Sequence, residues 1–405
     1  MAGPGASRRW FLLLLTVSTL LQAATAAARP MTSYRALDIG MAPSALGLVA
    51  AAFAIAPVAL ALSIGRRVDR NGEFPFQLAA AVMLSVSAAL LAWVDTPVTL
   101  LAVVALLGLS QLVFVVANQT LVGSRSPAEA YDGRFGHLSF VASLGQLIGP
   151  TLAGLVAGDS STEGTARALF VGAGLAALAI PAILLLWRSD PGPIVTPTAG
   201  DRVPLSVMAI LRRPGMGAAM LASMTVLATM DVLVVYLPLL GEERGLTVAT
   251  VGALLGVRAG ASMVSRFMLG RLIGWFGRDR LMIVSLVTAA LAVVSLAVLP
   301  LPAMFVAMAI AGLTLGVSQP MTMSWVAARS TPGARATAMS VRLLGNRVGQ
   351  VVIPLAAGTL AAVTGTAGVL AAAGLTVAFS AAVVARGRDR TAGRGAGGGG
   401  GGPEP

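Results

Sequence analysis

One stretch, Ser7–Pro30, SRRWFLLLLTVSTLLQAATAAARP, decides the architecture. Two arginines, an apolar run and the small-residue triplet Ala24-Thr25-Ala26 have the form of a twin-arginine secretion signal that is removed after export. The same letters describe a membrane-spanning helix that stays in the mature chain. The first reading gives an exported protein and the second a resident of the bilayer.

Composition weighs for the bilayer. Of 405 residues, 57% are hydrophobic and 11% charged, and a mean hydropathy of +0.86 is more apolar than a soluble core of this length requires. The net charge of +12 is borne by arginine alone, because the chain has no lysine. No aromatic-studded basic motif or basic helix accompanies it, so the expected counter-charge is lipid headgroups and no nucleic acid. With no cysteine and a single histidine, His137, there is no disulfide framework, no thiolate nucleophile and no cysteine or histidine metal cluster. No GxxxxGK[ST] exists either, so no nucleotide site and no cofactor are expected.

A helix needs about 20 apolar residues to cross roughly 30 Å of hydrocarbon, where lipid tolerates only helices or closed barrels. Such runs lie near Trp10–Ala28, Ser44–Ile64, Gln77–Val94, Val98–Leu121, Gly136–Ala157 and Ala166–Trp187. A second set lies near Gly215–Leu240, Val248–Leu269, Leu281–Leu299, Pro302–Val326, Ala336–Ala362 and Ala367–Val384. The spacing predicts an all-α membrane protein of twelve spans in two groups of six. Residues 1–187 form the first bundle and 215–386 the second. Residues 188–214, rich in proline and glycine, form a linker, and 387–405, ending in a glycine run, a disordered tail. Arginine placement sets the orientation: Arg8, Arg9, Arg66, Arg67, Arg70, Arg125, Arg134, Arg188, Arg271, Arg278 and Arg280 fall on one side, and only Arg35, Arg167 and Arg244 in the opposite loops. The positive-inside rule puts both termini and the linker in the cytoplasm.

The two groups are copies. GQLIGPTLAG from Gly145 lies over GQVVIPLAAG from Gly349 at an offset of 204. In the same frame Gly108 lies over Gly312 and Arg125-Ser126 over Arg329-Ser330; Gly47 and Gly65 lie over Gly252 and Gly270 at 205. Arg8-Arg9 falls on Arg212-Arg213, deep inside the chain, where no signal peptidase acts. The first run therefore reads as a retained helix with its arginines anchoring the cytoplasmic end.

Twelve spans in two parallel repeats, a cytoplasmic linker and GRRVDRNGE after span 2 (Gly65–Glu73) resemble the major facilitator superfamily, over nearly the whole chain. Gly65, Asp69, Arg70 and Gly72 match its loop signature. The resemblance implies a cytoplasmic latch that holds the outward-open state, with Gly65 packing closely on a neighbour and Asp69 accepting hydrogen bonds from a helix N-terminus or an arginine. Glu73 departs from the family, which has a basic residue there, and Gly274 stands where the second copy would carry the acid. On span 5, Gly145, Gly149, Pro150 and Gly154 look like the antiporter motif of drug and metabolite exporters, GxxxGPxxAG, with Ala153 in place of one glycine. Span 11 keeps Gly349, Pro354 and Gly358, so the motif reads either as an export signature or as plain helix packing. Span 4 has no arginine and span 1 no acid, which leaves the family's usual proton-coupling parts incomplete.

Charges in hydrocarbon cost about 2.5 to 3.5 kcal/mol on insertion scales, so those that persist face a cavity or each other. Asp231 is the one clearly buried acid, about 21 Å along span 7 at 1.5 Å per residue. Arg258 and Arg347 fall near mid-depth, Arg342 nearer the cytoplasm, and Arg29 near the outer end of span 1; Arg266 is placed to snorkel. Asp231 is open to three roles: a proton carrier, a permanent partner of Arg258, Arg347 or Arg29, or a direct substrate contact. Gln111 and Asn118 share one helix face, as do Arg347 and Gln350; these are candidate cavity groups or ordinary interhelical hydrogen bonds. The arginine excess favours an anionic or neutral amphipathic substrate. The expectation is a monomeric secondary transporter of the inner (cytoplasmic) membrane that moves a small molecule by alternating access, with proton-coupled export ahead of organic-anion uptake. A membrane-embedded enzyme and a channel are the alternatives of other classes.

Overall fold

Apolar runs bounded by glycine, proline and threonine become helices throughout the computed structural model, which describes residues 4–126, 131–158, 162–189, 212, 215–329 and 335–396. The first half holds α1 (Pro4–Asp38), α2 (Leu46–Asn71), α3 (Phe74–Leu90), α4 (Pro97–Ser124), α5 (Tyr131–Ala157) and α6 (Thr162–Arg188). The second holds α7 (Met216–Glu243), α8 (Val248–Phe267), α9 (Arg278–Ser295) and α10 (Leu301–Arg329), with a two-turn helix, Leu269–Phe276, between α8 and α9. A last helical stretch, Arg335–Ala396, bends at Gly365 (φ 64°) into α11 (335–364) and α12 (366–396). Among the described residues the fold is all-α, with twelve long helices in two bundles. Among the described residues, ten stretches are long and apolar enough to cross a membrane. The full number follows because the last of them holds both α11 and α12, and because α9, whose first turn is charged by Arg278, Asp279 and Arg280, is apolar only beyond it. Large side chains such as Leu155, Leu178, Leu291 and Leu375 stand exposed around the perimeter, as a surface solvated by lipid requires.

Helix starts and stops follow local chemistry. The Thr96 and Thr247 hydroxyls cap α4 and α8 by accepting from the amides of Thr99 and Thr250. Gly72 (φ 82°) ends α2, and its copy Gly277 (φ 72°) precedes α9 in the same left-handed turn. At the arginine-poor end, Arg35 donates to the Val94 carbonyl at 2.9 Å and Arg244 to the Leu299 carbonyl at 2.6 Å. Val94 and Leu299 are 205 apart, so two of the three arginines on that side close equivalent turns, one in each half.

Two extents differ from the sequence reading. The first helix runs on to Asp38 rather than stopping near Ala28, because Pro30 removes only one helical hydrogen bond and the turn continues on either side. The last runs to Ala396, beyond Arg386. Most of the linker, the end of the tail at 397–405 and the side chain of Asp69 lie outside the described residues. The first helix is no peripheral element: Trp10, Leu14, Val17, Leu21, Ala24 and Ala28 are fully buried, and the helix packs chiefly against α5 and α6.

The two halves meet through a contact made twice. A Cβ on Gly47 of α2 would stand 2.3 Å from the Pro354 carbonyl oxygen and 3.1 Å from Gly358 Cα of α11. A Cβ on Gly252 of α8 would stand 2.4 Å from the Pro150 carbonyl oxygen and 3.0 Å from Gly154 Cα of α5. These are the same contact under the internal repeat, and both lie toward the arginine-poor end. At the arginine-rich end Gly65, Gly136, Gly270 and Gly345 have nothing among the described residues within 4 Å of where a Cβ would be. The close approach expected at Gly65 is therefore absent here, because the halves are drawn together at the other end. Arg70 and Gly72 are exposed beside it.

Candidate functional site

Below the two seams, the halves enclose a cavity of about 190 Å³. The α1 helix supplies Gln22, Thr25, Ala26 and Arg29, a stripe at helical spacing. Phe53 comes from α2, Gln111 from α4, Gln146 and Pro150 from α5. The other half supplies Leu227, Met230, Asp231 and Val234 from α7, Leu255 and Arg258 from α8, and Arg347 and Gln350 from α11. Among these residues Asp231 is the one carboxylate, facing three arginines.

Asp231 is 5% exposed. One carboxylate oxygen accepts from the Arg29 guanidinium across the halves, and the other from the Gln350 amide within its own half. Gln350 in turn accepts from Arg347 Nη1 at 3.1 Å. Arg29 also lies over the Phe53 ring, 4.1 Å from its centroid. Arg29, of the three partners open in the sequence, is the one that pairs with Asp231; Arg347 reaches it only through Gln350. The other ion pair among the described residues is Arg125–Glu73, so neither Arg258 nor Arg347 has a carboxylate at ion-pair distance.

Apart from Arg29, the wall contributed by the first half is neutral. Thr25 Oγ1 donates to Gln111 Oε1 at 2.9 Å, and Gln111 Nε2 to Gln22 Oε1 at 2.8 Å. Pro150 and Pro354 have no amide hydrogen, so the carbonyls of Gln146 and Gln350, four residues before them, lose their helical donors beside the cavity.

The cavity thus gathers Asp231, Arg29, Arg258, Arg347, Gln111 and Gln350. It does not gather Asn118, which shares a face with Gln111 but lies roughly 10 Å farther along the helix, two turns away. Asn118 donates to Ser18 at 2.8 Å and accepts from Gln77 at 3.1 Å, a hydrogen-bonded link inside the first half. Arg342 is buried in the second half on neutral partners, Ser223 Oγ at 2.6 Å and, more loosely, Gln319 and Thr322. Arg266 reaches across the halves rather than out to an interface, donating to Ser143 Oγ at 2.7 Å.

Gly145 and Gly149 seat α5 on α1, where added Cβ atoms would meet the Ala23 amide at 2.8 Å and the Ala23 carbonyl at 2.4 Å. With Pro150 and Gly154 in the seam, every residue of the antiporter-like motif is used in helix contact. Glu73, the departure from the loop signature, is a structural acid: 6% exposed, it binds Arg125 Nη1 at 2.7 Å and Ser124 Oγ at 2.9 Å.

Sequence reasoning missed Gln22, Thr25, Phe53 and Gln146. Two signals pointed to them: Gln146 lies over Gln350 at an offset of 204, and Gln22, Thr25 and Arg29 follow one another at helical spacing.

Comparison with known proteins agrees with this architecture. A family model, Major Facilitator Superfamily, matches residues 12–303 and 275–405. No curated protein matches the sequence. Among solved structures, the nucleoside transporter NupG superposes with a TM-score of 0.76 at 14% identity, over 94% of this chain and 99% of its own. A bacterial homolog of the human lysosomal transporter Spinster, inward-facing and occupied, gives 0.74 at 15%, over 96% and 98%. A POT family transporter in complex with 5-aminolevulinic acid gives 0.75 at 14%, over 94% and 96%.

Proposed function

Because this chain belongs to the major facilitator superfamily of membrane transporters, we propose that it exports a small organic molecule across the cytoplasmic membrane in exchange for protons, as a monomer. Both termini and the arginine-rich face lie in the cytoplasm on this reading. The closed seams then face outward and the cavity loads from inside.

One observation supports the reading above the rest: the Arg29–Asp231 pair ties α1 of one half to α7 of the other in the wall of the cavity. A proton on Asp231 abolishes the charge attraction and loosens a bond between the halves. Proton binding and the freedom of the halves to part are thereby linked through a single carboxyl group. Direction rests on the likeness of α5 to the antiporter motif. Uptake of an organic anion with protons is the second reading, favoured by the arginine excess of the cavity.

A deletion strain screened for growth and accumulation against a chemically varied panel identifies the cargo. Everted vesicles should then load it under an imposed pH gradient and intact cells should not; the reverse pattern establishes uptake. Transport by Asp231→Asn should lose its pH dependence, and an unchanged profile refutes the proton role. Saturable counterflow of labelled cargo separates a carrier from a pore.

A further inference from the structure

The Asp231 side of the cavity is internally satisfied, whereas Arg258 is not. Its side chain is buried, the residue being 5% exposed, and its Nε has no hydrogen-bond partner among the described residues. A guanidinium has five donors, and a buried cation without a counter-ion is a costly arrangement. Arg347, on the same cavity, gives one donor to the neutral Gln350 and has no carboxylate partner.

The repeat sharpens the contrast. Residue 53 is the first-half copy of residue 258, and there the chain has Phe53. Gln146, the copy of Gln350, lines the cavity, and its side chain makes no hydrogen bond among the described residues. Gln22 ends the Thr25–Gln111–Gln22 chain with its amide group unspent. One wall therefore offers guanidinium donors with no carboxylate at ion-pair distance, and the other carboxamides and the Phe53 ring that Arg29 lies over.

We propose that the transported molecule is two-faced: a carboxylate or phosphate group bound by Arg258 and Arg347, and an uncharged, hydrogen-bonding ring or chain held by Gln22, Gln146 and Phe53. This deepens the transport reading above and rests on it. A cavity of about 150 Å³ holds benzene, so 190 Å³ suits a body slightly larger than a six-membered ring, such as a ring bearing one acid group. The anion leaves Asp231 and Arg29 in place, so cargo and proton occupy separate groups of one cavity.

The chain has no cysteine, which makes Val234→Cys, on the cavity wall, a clean reporter. In nanodiscs, its alkylation by N-ethylmaleimide is timed with benzoate, benzamide or benzylammonium present. Benzoate should slow the reaction saturably and the other two should not. Arg258→Gln and Arg347→Gln should each raise the half-protecting benzoate concentration roughly 10-fold or more, the worth of one hydrogen bond to a charged group, and Arg258→Lys should lose less than Arg258→Gln. Monodispersity of each variant on gel filtration guards against misfolding, and two independent arginines keep the test standing if one variant fails to fold. Equal protection by benzamide or benzylammonium, no protection by benzoate in the parent, or arginine variants that behave like the parent each overturn the proposal. A second reporter, Val248→Cys, 4% exposed at the seam, tests alternation separately. If it is never alkylated from the outer face, the transport reading fails whatever benzoate does; if it is alkylated while benzoate fails, only the anion inference falls.

Discussion

Adding one methyl group at either seam glycine should push the molecule out of the conformation described here. In Gly252→Ala the new Cβ lies 2.4 Å from the Pro150 carbonyl oxygen, and in Gly47→Ala 2.3 Å from that of Pro354. Ordinary contact is about 3.5 Å, so the helices must part by about 1 Å, and both obstacles are backbone atoms that cannot swing aside. Overpacking of this kind costs about 1–3 kcal/mol. The contact exists only while the arginine-poor end is closed, so the whole penalty falls on that state. The ratio of open to closed seams should rise by a factor of about 5–150. Each perturbation is best read at the opposite seam, which a rigid-body motion must also open. Gly252→Ala is scored by maleimide labelling of Ser44→Cys, whose carbonyl lies against Gly358, and Gly47→Ala by labelling of Val248→Cys, whose carbonyl lies against Gly154. Both rates should rise at least about fivefold, and Gly65→Ala, with open space around it in the closed-seam state, should raise neither. Labelling that stays at the parent rate in both variants, with the protein still monodisperse, refutes the seam as a conformational contact.

Gly108→Ala should behave differently, since its Cβ collides with the Phe53 carbonyl inside one half. It should lower thermal stability by about 1–3 kcal/mol or more without selectively speeding seam labelling. Glu73→Ala removes the carboxylate that Arg125 binds in a buried site and should lower the melting temperature of detergent-solubilised protein; an unchanged melting temperature contradicts a stabilising buried ion pair. Gln111→Ala should weaken cargo binding, while Asn118→Ala should leave affinity unchanged and lower stability only. Mass spectrometry of the mature protein should find the residues before Trp10 retained; a start at Ala27 or Ala28 removes a helix whose buried face fills the first half.

The spans were legible because lipid imposes a length and an apolarity that the letters carry directly, and the halves because Gly47, Gly108, Pro150 and Gly154 recur one repeat later. The cavity was legible as far as charge betrayed it: Asp231, Arg29, Arg258 and Arg347 are conspicuous in hydrocarbon. Which arginine holds Asp231 was not readable, since that depends on how α1 and α7 approach each other. Gln22 and Gln146 were hidden because a neutral amide in a membrane helix satisfies interhelical contacts as readily as it faces a cavity, as Asn118 does. The role of Glu73 was not readable, because its partner Arg125 lies 52 residues away in sequence and is brought close only by the packing of α3 on α4.

The doubled seam has an implication for how such a molecule could arise. Each half contains both the glycine that enters (Gly47 or Gly252) and the proline-glycine receptor that admits it (Pro150 with Gly154, or Pro354 with Gly358). A half-length ancestor would therefore have been self-complementary: two identical copies related by a dyad could have shut against each other with no further invention. Fusion would then free the copies to diverge, as Phe53 and Arg258 do at equivalent positions of the two repeats.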